Sequence, residues 1–386
     1  MGSAKRLQSG LWIALLLGIA DGCTKKPLHA PAAAGSRAQS DSDPTPAVTA
    51  RLDEPCKRHW TPVNRSRAFH CVDQWFAQND VDAALRGYER LLVRRVSDER
   101  AAAYDFAEAS AMFGRSDAAL ASVAELDAQR PTRLIVEGVL ALHHWMRTGE
   151  ARHADVVRRS FQMLLARQPQ NPYALVLGLR YFLHAAKLEP LMLGLAWQTC
   201  QERLSWLERG DQEVVGRAEV LARCAEVALA SDRPSESRRL FARALEIDPH
   251  QAEGRLRWAG LELDAGNVIV AAELFSAATN APRSYHRLAA QMGLGVTRAR
   301  MRDGPGAEKA YREAITAFHQ WAAPENGALP KEILYNLGVV LASSADPLLR
   351  GEARELLQEF IARPDADEVR ALRCRQMLHE LKGEFP

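Results

Sequence analysis

Small, bulky and helix-breaking residues recur along this chain with a period of about 34 residues, and that recurrence limits its fold more than any other feature. The plainest unit, 218–251, carries Phe241, Ala244 and Pro249 towards its end. Unit 252–285 follows without a gap and holds Ala259, Gly266, Ala271, Phe275 and Ala278 in the same phase. A third unit starts near 288 with Leu294-Gly295, Ala307, Tyr311 and Ala314. A fourth starts near 331 with Tyr335-Asn336-Leu337-Gly338 and, after a short insertion, Ala353. The amino-terminal half repeats the pattern more loosely. Unit 65–98 has Trp75, Ala84 and Tyr88, and unit 100–133 has Ala107, Gly114, Ala119 and Pro131. Unit 134–170 has Leu140-Ala141, Phe161 and Pro169, with an insertion near Ala151; unit 171–208 has Leu177-Gly178 and Tyr181, with an irregular second helix.

The physics of such a unit is simple. Small residues let two helices approach closely, bulky ones fill the space between them, and a proline ends the second helix. No unit buries its apolar face alone, so stacking is obligatory. The last unit leaves an open face, and 367–383 reads as an amphipathic helix suited to cover it. No segment alternates with period two, so no sheet is expected.

Eight such units in near-tandem phase resemble the tetratricopeptide-repeat (TPR) family. The resemblance implies an all-α fold, an α-solenoid of helix-turn-helix repeats in a right-handed superhelix, closed by a capping helix at 367–386. It divides the chain into four divergent repeats over 59–208 and four more regular ones over 209–366.

The amino terminus reads as an export signal. Lys5 and Arg6 precede an apolar run, Leu11 to Ala20, which is too short to span a bilayer. Asp21-Gly22-Cys23 then resembles the lipobox of bacterial lipoproteins, although Ala20 and Asp21 depart from the residues that family prefers. The resemblance implies a signal peptide over 1–23, lipidation of Cys23 and, with Thr24 following, an outer-membrane anchor facing the periplasm. The alternative is ordinary cleavage near Ala20–Gly22 and a soluble periplasmic or secreted protein. Segment 24–58 is rich in Pro, Ala, Ser and Asp and is expected to be a disordered tether reaching about 30 Å.

Chemistry-bearing patterns are sparse. His143, His144 and His153 are the nearest approach to a metal set, but adjacent histidines point to different sides of a helix. Gly293 and Gly295 are explained by the repeat and follow no strand. Of the six cysteines, Cys56 and Cys71 are spaced to clip the tether onto the first helix, and Cys200 and Cys224 lie on neighbouring helices; free or buried thiols remain the alternative. A net charge of +2 gives no field for nucleic acid. No cofactor, metal or small-molecule substrate is expected, and no residues are left over for a catalytic domain.

In TPR proteins the first helices line a concave groove that binds peptides or helices. The resemblance implies that Phe69, Phe76, Tyr104, Leu142, Trp145, Met146, Leu179 and Phe182 would give its amino-terminal half an apolar wall. Arg223, Glu226, Arg257, Tyr335 and Asn336 would make the other half polar. Core packing is an equally good account of several of these residues. The expected function is therefore an envelope scaffold or adaptor that holds another envelope protein or peptide segment, helping to assemble an outer-membrane, pilus or gliding-motility machine. The alternative is a periplasmic chaperone that grips clients transiently in the apolar groove.

Overall fold

The computed structural model describes residues 65–93, 99–208, 216–321 and 329–383. The signal-type segment, the expected tether, Cys23, Cys56 and the side chain of Phe69 lie outside the described residues. Seventeen helices and no strand occur among those described. In the amino-terminal half α1 (Arg65–Ala77) pairs with α2 (Val81–Val93), and α3 (Glu99–Met112) with α4 (Ser116–Val123). Next come α5 (Pro131–Thr148) with α6 (Ala151–Arg167), and α7 (Pro172–Ala185) with α8 (Leu191–Glu208). Then α9 (Arg217–Ala230) pairs with α10 (Pro234–Ile247), and α11 (Ala252–Asp264) with α12 (Val268–Ala278). Last are α13 (Ser284–Arg300) with α14 (Gly304–Trp321), α15 (Lys331–Ala342) with α16 (Pro347–Ala362), and a single helix, α17 (Glu368–Gly383).

The turn inside a pair is built the same way five times. Asn79, Gly114, Asp232, Gly266 and Arg302 all take the left-handed conformation, with φ of 62°, 69°, 59°, 83° and 62°. Each stands at the place in its unit that Gly114 and Gly266 mark in the sequence. The next residue's N–H returns to the carbonyl five residues back, in all five turns, at 2.7–2.9 Å. That bond satisfies a carbonyl the first helix would otherwise leave orphaned. Helix starts are equally local in origin. Proline stands in the first turn of α5, α7, α10 and α16, where its missing N–H costs nothing. The Asn171 side chain caps α7 by accepting from the N–H groups of Tyr173 and Ala174 at 3.0 and 3.2 Å.

The residues that carry the repeat pattern are core residues. Ala84, Ala107, Ala244, Ala259, Ala271, Ala307, Ala314 and Ala353 are fully buried, as are Tyr88, Phe241 and Tyr311. A Cβ on Gly295 would sit 2.7 Å from the Tyr311 ring, and one on Gly293 would strike the Phe275 ring. Gly295 is a contact point within its helix pair and Gly293 one with the preceding pair, not a phosphate loop. First helices form the inner layer: α9 buries eleven residues around most of its circumference, whereas its partner α10 buries only Ser237, Leu240, Phe241 and Ala244. Inner helices of successive pairs also pack on one another, α3 on α5, α5 on α7, α7 on α9, α9 on α11 and α11 on α13. The result is an all-α solenoid. Its end is covered by α17, which buries Ala371, Cys374 and Leu381.

Two local expectations change. Segment 191–208 is a continuous helix of 18 residues, not an irregular one. It buries Ala196, Cys200 and Leu207 on one side while Leu191 and Leu195 stay exposed on another, so no single apolar stripe announces it. Pro131 opens α5 instead of closing the preceding unit, and the extra residues near Ala151 are absorbed because α5 and α6 run to 18 and 17 residues against 14 each for α9 and α10.

Candidate interaction surface

The apolar groove wall read from the sequence is largely core. Phe76 (1% exposed), Leu142 (0%), Trp145 (6%) and Leu179 (1%) are buried between helices. The physical reason is that the inner helices bury most of their circumference, so a residue on the concave side of one meets the next. Trp145 packs edge-on to His184 at 4.5 Å and near Tyr181 at 5.3 Å. Phe182 is half-buried and edge-on to Phe161 at 5.7 Å, and Met146 is half-buried nearby. Phe76 stacks on Phe113 at 5.8 Å, in a different place. Tyr335 lies between Phe360 and the Arg370 guanidinium, each at 5.3 Å, close to the capping helix; Asn336 beside it is half-buried. Phe76, Tyr104, Leu142, Trp145 and Leu179, with Met146 and Phe182 against them, thus belong to one buried apolar core, while Tyr335 packs in a second one at the capping end.

What the inner layer presents instead is charge. Arg180 on α7 donates to Tyr104 Oη at 2.8 Å and Glu108 Oε1 at 2.9 Å, both on α3. His143 on α5 approaches the same carboxylate at 3.4 Å. Arg223 on α9 bonds Glu226 at 2.7 Å and also pairs with Glu253 on α11. Arg257 reaches Glu226 at 2.9 Å and Glu253 at 3.1 Å, closing a four-membered ion cluster. Arg283, just before α13, donates to Tyr88 and Tyr285 hydroxyls at 3.0 Å each and faces Asp105 at 3.5 Å. Burial alone would raise the Glu108 carboxyl, but Arg180 and His143 hold it well below its ordinary range. The Glu253 carboxyl is likewise held down, against burial, by Arg223 and Arg257. Burial pushes the His286 imidazole down to about 4, with Arg283 adding to the effect.

The sequence placed Arg223, Glu226 and Arg257 on this face. It did not reveal their pairing, nor Glu108, Arg180, Glu253 and Arg283. Their signal was the clustering of acidic and basic residues on inner helices, where a solvated face would show the same composition. Of the histidines, His143 pairs with Glu108, while His144 and His153 stack at 5.2 Å. No group of three metal-ligating side chains occurs among the described residues.

Cys200 and Cys224 form a disulfide between α8 and α9, with Cα atoms 5.6 Å apart. Cys71 is disulfide-bonded too, and the expected partner Cys56 lies outside the described residues. Leu188, Leu191 and Leu195 are exposed and lie within eight residues of one another where α7 turns into α8. No helix among the described residues is long and apolar enough to cross a membrane.

No protein-family model and no curated protein matches the chain. Among solved structures it is similar to a chain of the APC/C hetero-tetramer Cut9-Hcn1, with 14% identity and a TM-score of 0.36 over 83% of this chain. It spans 63% of the length of that relative. It is also similar to yeast Tom70, with 11% identity and a TM-score of 0.36, over 85% of this chain and 90% of that one. The repeated turn, the alternation of inner and outer helices and the buried small and bulky residues make this chain, in fold, a TPR-like α-solenoid.

Proposed function

We propose that this chain is a protein-binding scaffold, not an enzyme, exported to a bacterial cell envelope and held at the outer membrane by a lipid on Cys23. It would fix one component of a membrane-associated machine of the outer-membrane, pilus or gliding-motility type. The observation that carries the binding reading is the corner formed by Leu188, Leu191 and Leu195, which keep 80%, 86% and 49% of their surface in solvent. Exposed aliphatics gathered at one corner of a packed helix pair suit contact with another macromolecule. The Cys200–Cys224 disulfide supports export, since such bonds persist in oxidising compartments.

The reading is tested by affinity capture of the full-length protein from gently solubilised cells, beside a Leu188→Glu/Leu191→Glu variant. One stable partner that disappears with the variant is expected. Equal recovery of that partner by both proteins would remove the corner from the account. Cys23→Ser is expected to move the protein from the membrane fraction to the soluble fraction, and retention on membranes would refute the anchor.

A further inference from the structure

A repeat array ordinarily keeps each unit in touch only with its neighbours. Here the stack bends back far enough for its first two helix pairs to meet its seventh. The Trp321 indole N–H at the end of α14 donates to the Met112 carbonyl at the end of α3, at 3.1 Å across 209 residues of sequence. Phe113 sits edge-on to Tyr285 at 5.9 Å while it stacks on Phe76. Arg283 spans the same junction: it donates to the Tyr88 hydroxyl across 195 residues, faces Asp105 and lies over the Phe76 ring at 5.7 Å. Met112 and Phe113 pack against the apolar cluster of Tyr285, Leu288, Phe318 and Trp321.

The junction differs in kind from the contacts along the stack. Neighbouring helices pack along their lengths, whereas α1, α2 and α3 pack lengthwise on neither α13 nor α14. Among the described residues the junction is made by side chains and the Met112 carbonyl. Opening it sacrifices the Arg283 contacts, the Trp321–Met112 hydrogen bond and the packing of Met112 and Phe113 on the Tyr285, Leu288, Phe318 and Trp321 cluster, and leaves the adjacent-pair interfaces in place. A solenoid accommodates such a movement cheaply, because a small rotation at each of several interfaces adds up to a large displacement of its ends.

We infer that this junction is a reversible clasp: Arg283, Tyr285 and Trp321 lock onto Phe76, Tyr88, Asp105, Met112 and Phe113 and hold the solenoid closed over its charged inner face. When the clasp opens, the Arg180–Glu108 and Arg223–Glu226–Glu253–Arg257 groups face solvent along one concave surface. The clasp is a property of the solenoid itself and does not depend on the envelope reading or on the exposed leucine corner.

The test compares the protein with an Arg283→Ala/Trp321→Ala variant by small-angle scattering, far-ultraviolet circular dichroism and amide hydrogen exchange. The expected result is a larger radius of gyration at unchanged helicity, with exchange in 104–113 and 284–292 about tenfold faster and the rest of the stack unaffected. An unchanged radius and unchanged exchange would overturn the clasp. A variant that loses helicity in one cooperative step would also overturn it, because the contact would then belong to the fold's core. Arg283→Gln, which removes the ion pair and keeps Trp321 in place, gives a milder second reading. It should accelerate exchange in the same two segments, and equal protection there would sink the proposal independently.

Discussion

Arg302 holds a φ of 62° at a turn where Gly266 holds 83° in the preceding pair. A side chain with a Cβ pays about 1–2 kcal/mol for that conformation, and glycine pays little of it. Nothing about a lone arginine in a sequence signals such a position. Only its phase within the repeat, fourteen residues behind the unit's start near 288, relates it to Gly266 and Gly114. Arg302→Gly is therefore expected to stabilise the protein by up to about 1 kcal/mol, offset in part by the greater freedom of the unfolded chain. The measurement is the midpoint of chemical denaturation; a lower midpoint would show that the Arg302 side chain contributes more than its backbone strain costs.

At the scale of elements, the inner helices bury charges of the kind that the outer ones leave in solvent. Arg223 is 5% exposed and bonded to carboxylates from its own helix and from α11. A buried ion cluster adds little net stability over an apolar one, but removing one member strands the others. Arg223→Ala is expected to cost about 3 kcal/mol, because Glu226 and the partly exposed Glu253 are then left to share the single guanidinium of Arg257. Thermal or urea unfolding of the variant measures this, and a loss below about 1 kcal/mol would mean that water reaches the cluster readily. The same elements explain why α8 was hard to read. Its exposed side opens with Leu191, Gly194 and Leu195 before turning polar, so the period that marks α10 or α14 is blurred, although it is one of the longest helices among the described residues.

At the scale of the whole molecule, stability should depend on pH in a direction the histidines set. Burial, with Lys187 nearby, pushes His184 down to about 4; burial and Arg283 do the same to His286. Both are neutral in the fold, whereas an unfolded histidine protonates near 6.5. The unfolded state thus binds more protons below that value, and stability falls as pH drops from about 6.5 towards 4. Glu108 and Glu253, with carboxyls held down in the fold, extend the loss below the ordinary carboxylate range near 4. The unfolding temperature should be level near neutrality and fall steadily from pH 6.5 to 4. A flat profile across that window would contradict the neutral burial of both imidazoles.

The sequence by itself determined the local architecture. Spacing of Ala, Gly and aromatic residues specified which faces of paired helices meet, because close approach and volume filling are demands that each unit satisfies within its own 34 or so residues. Prolines and the Asn171 cap set helix starts for the same local reason. The tertiary structure alone decided how the units add up. Whether Trp145 and Leu179 line a groove or fill a core depends on the angle between successive pairs, and an error of one residue in register turns a face by about 100°. Pairing of Arg180 with Glu108, or of Trp321 with Met112, depends on the accumulated curvature of the whole stack. Curvature is a sum of small rotations over many interfaces, and no single unit's residues encode it.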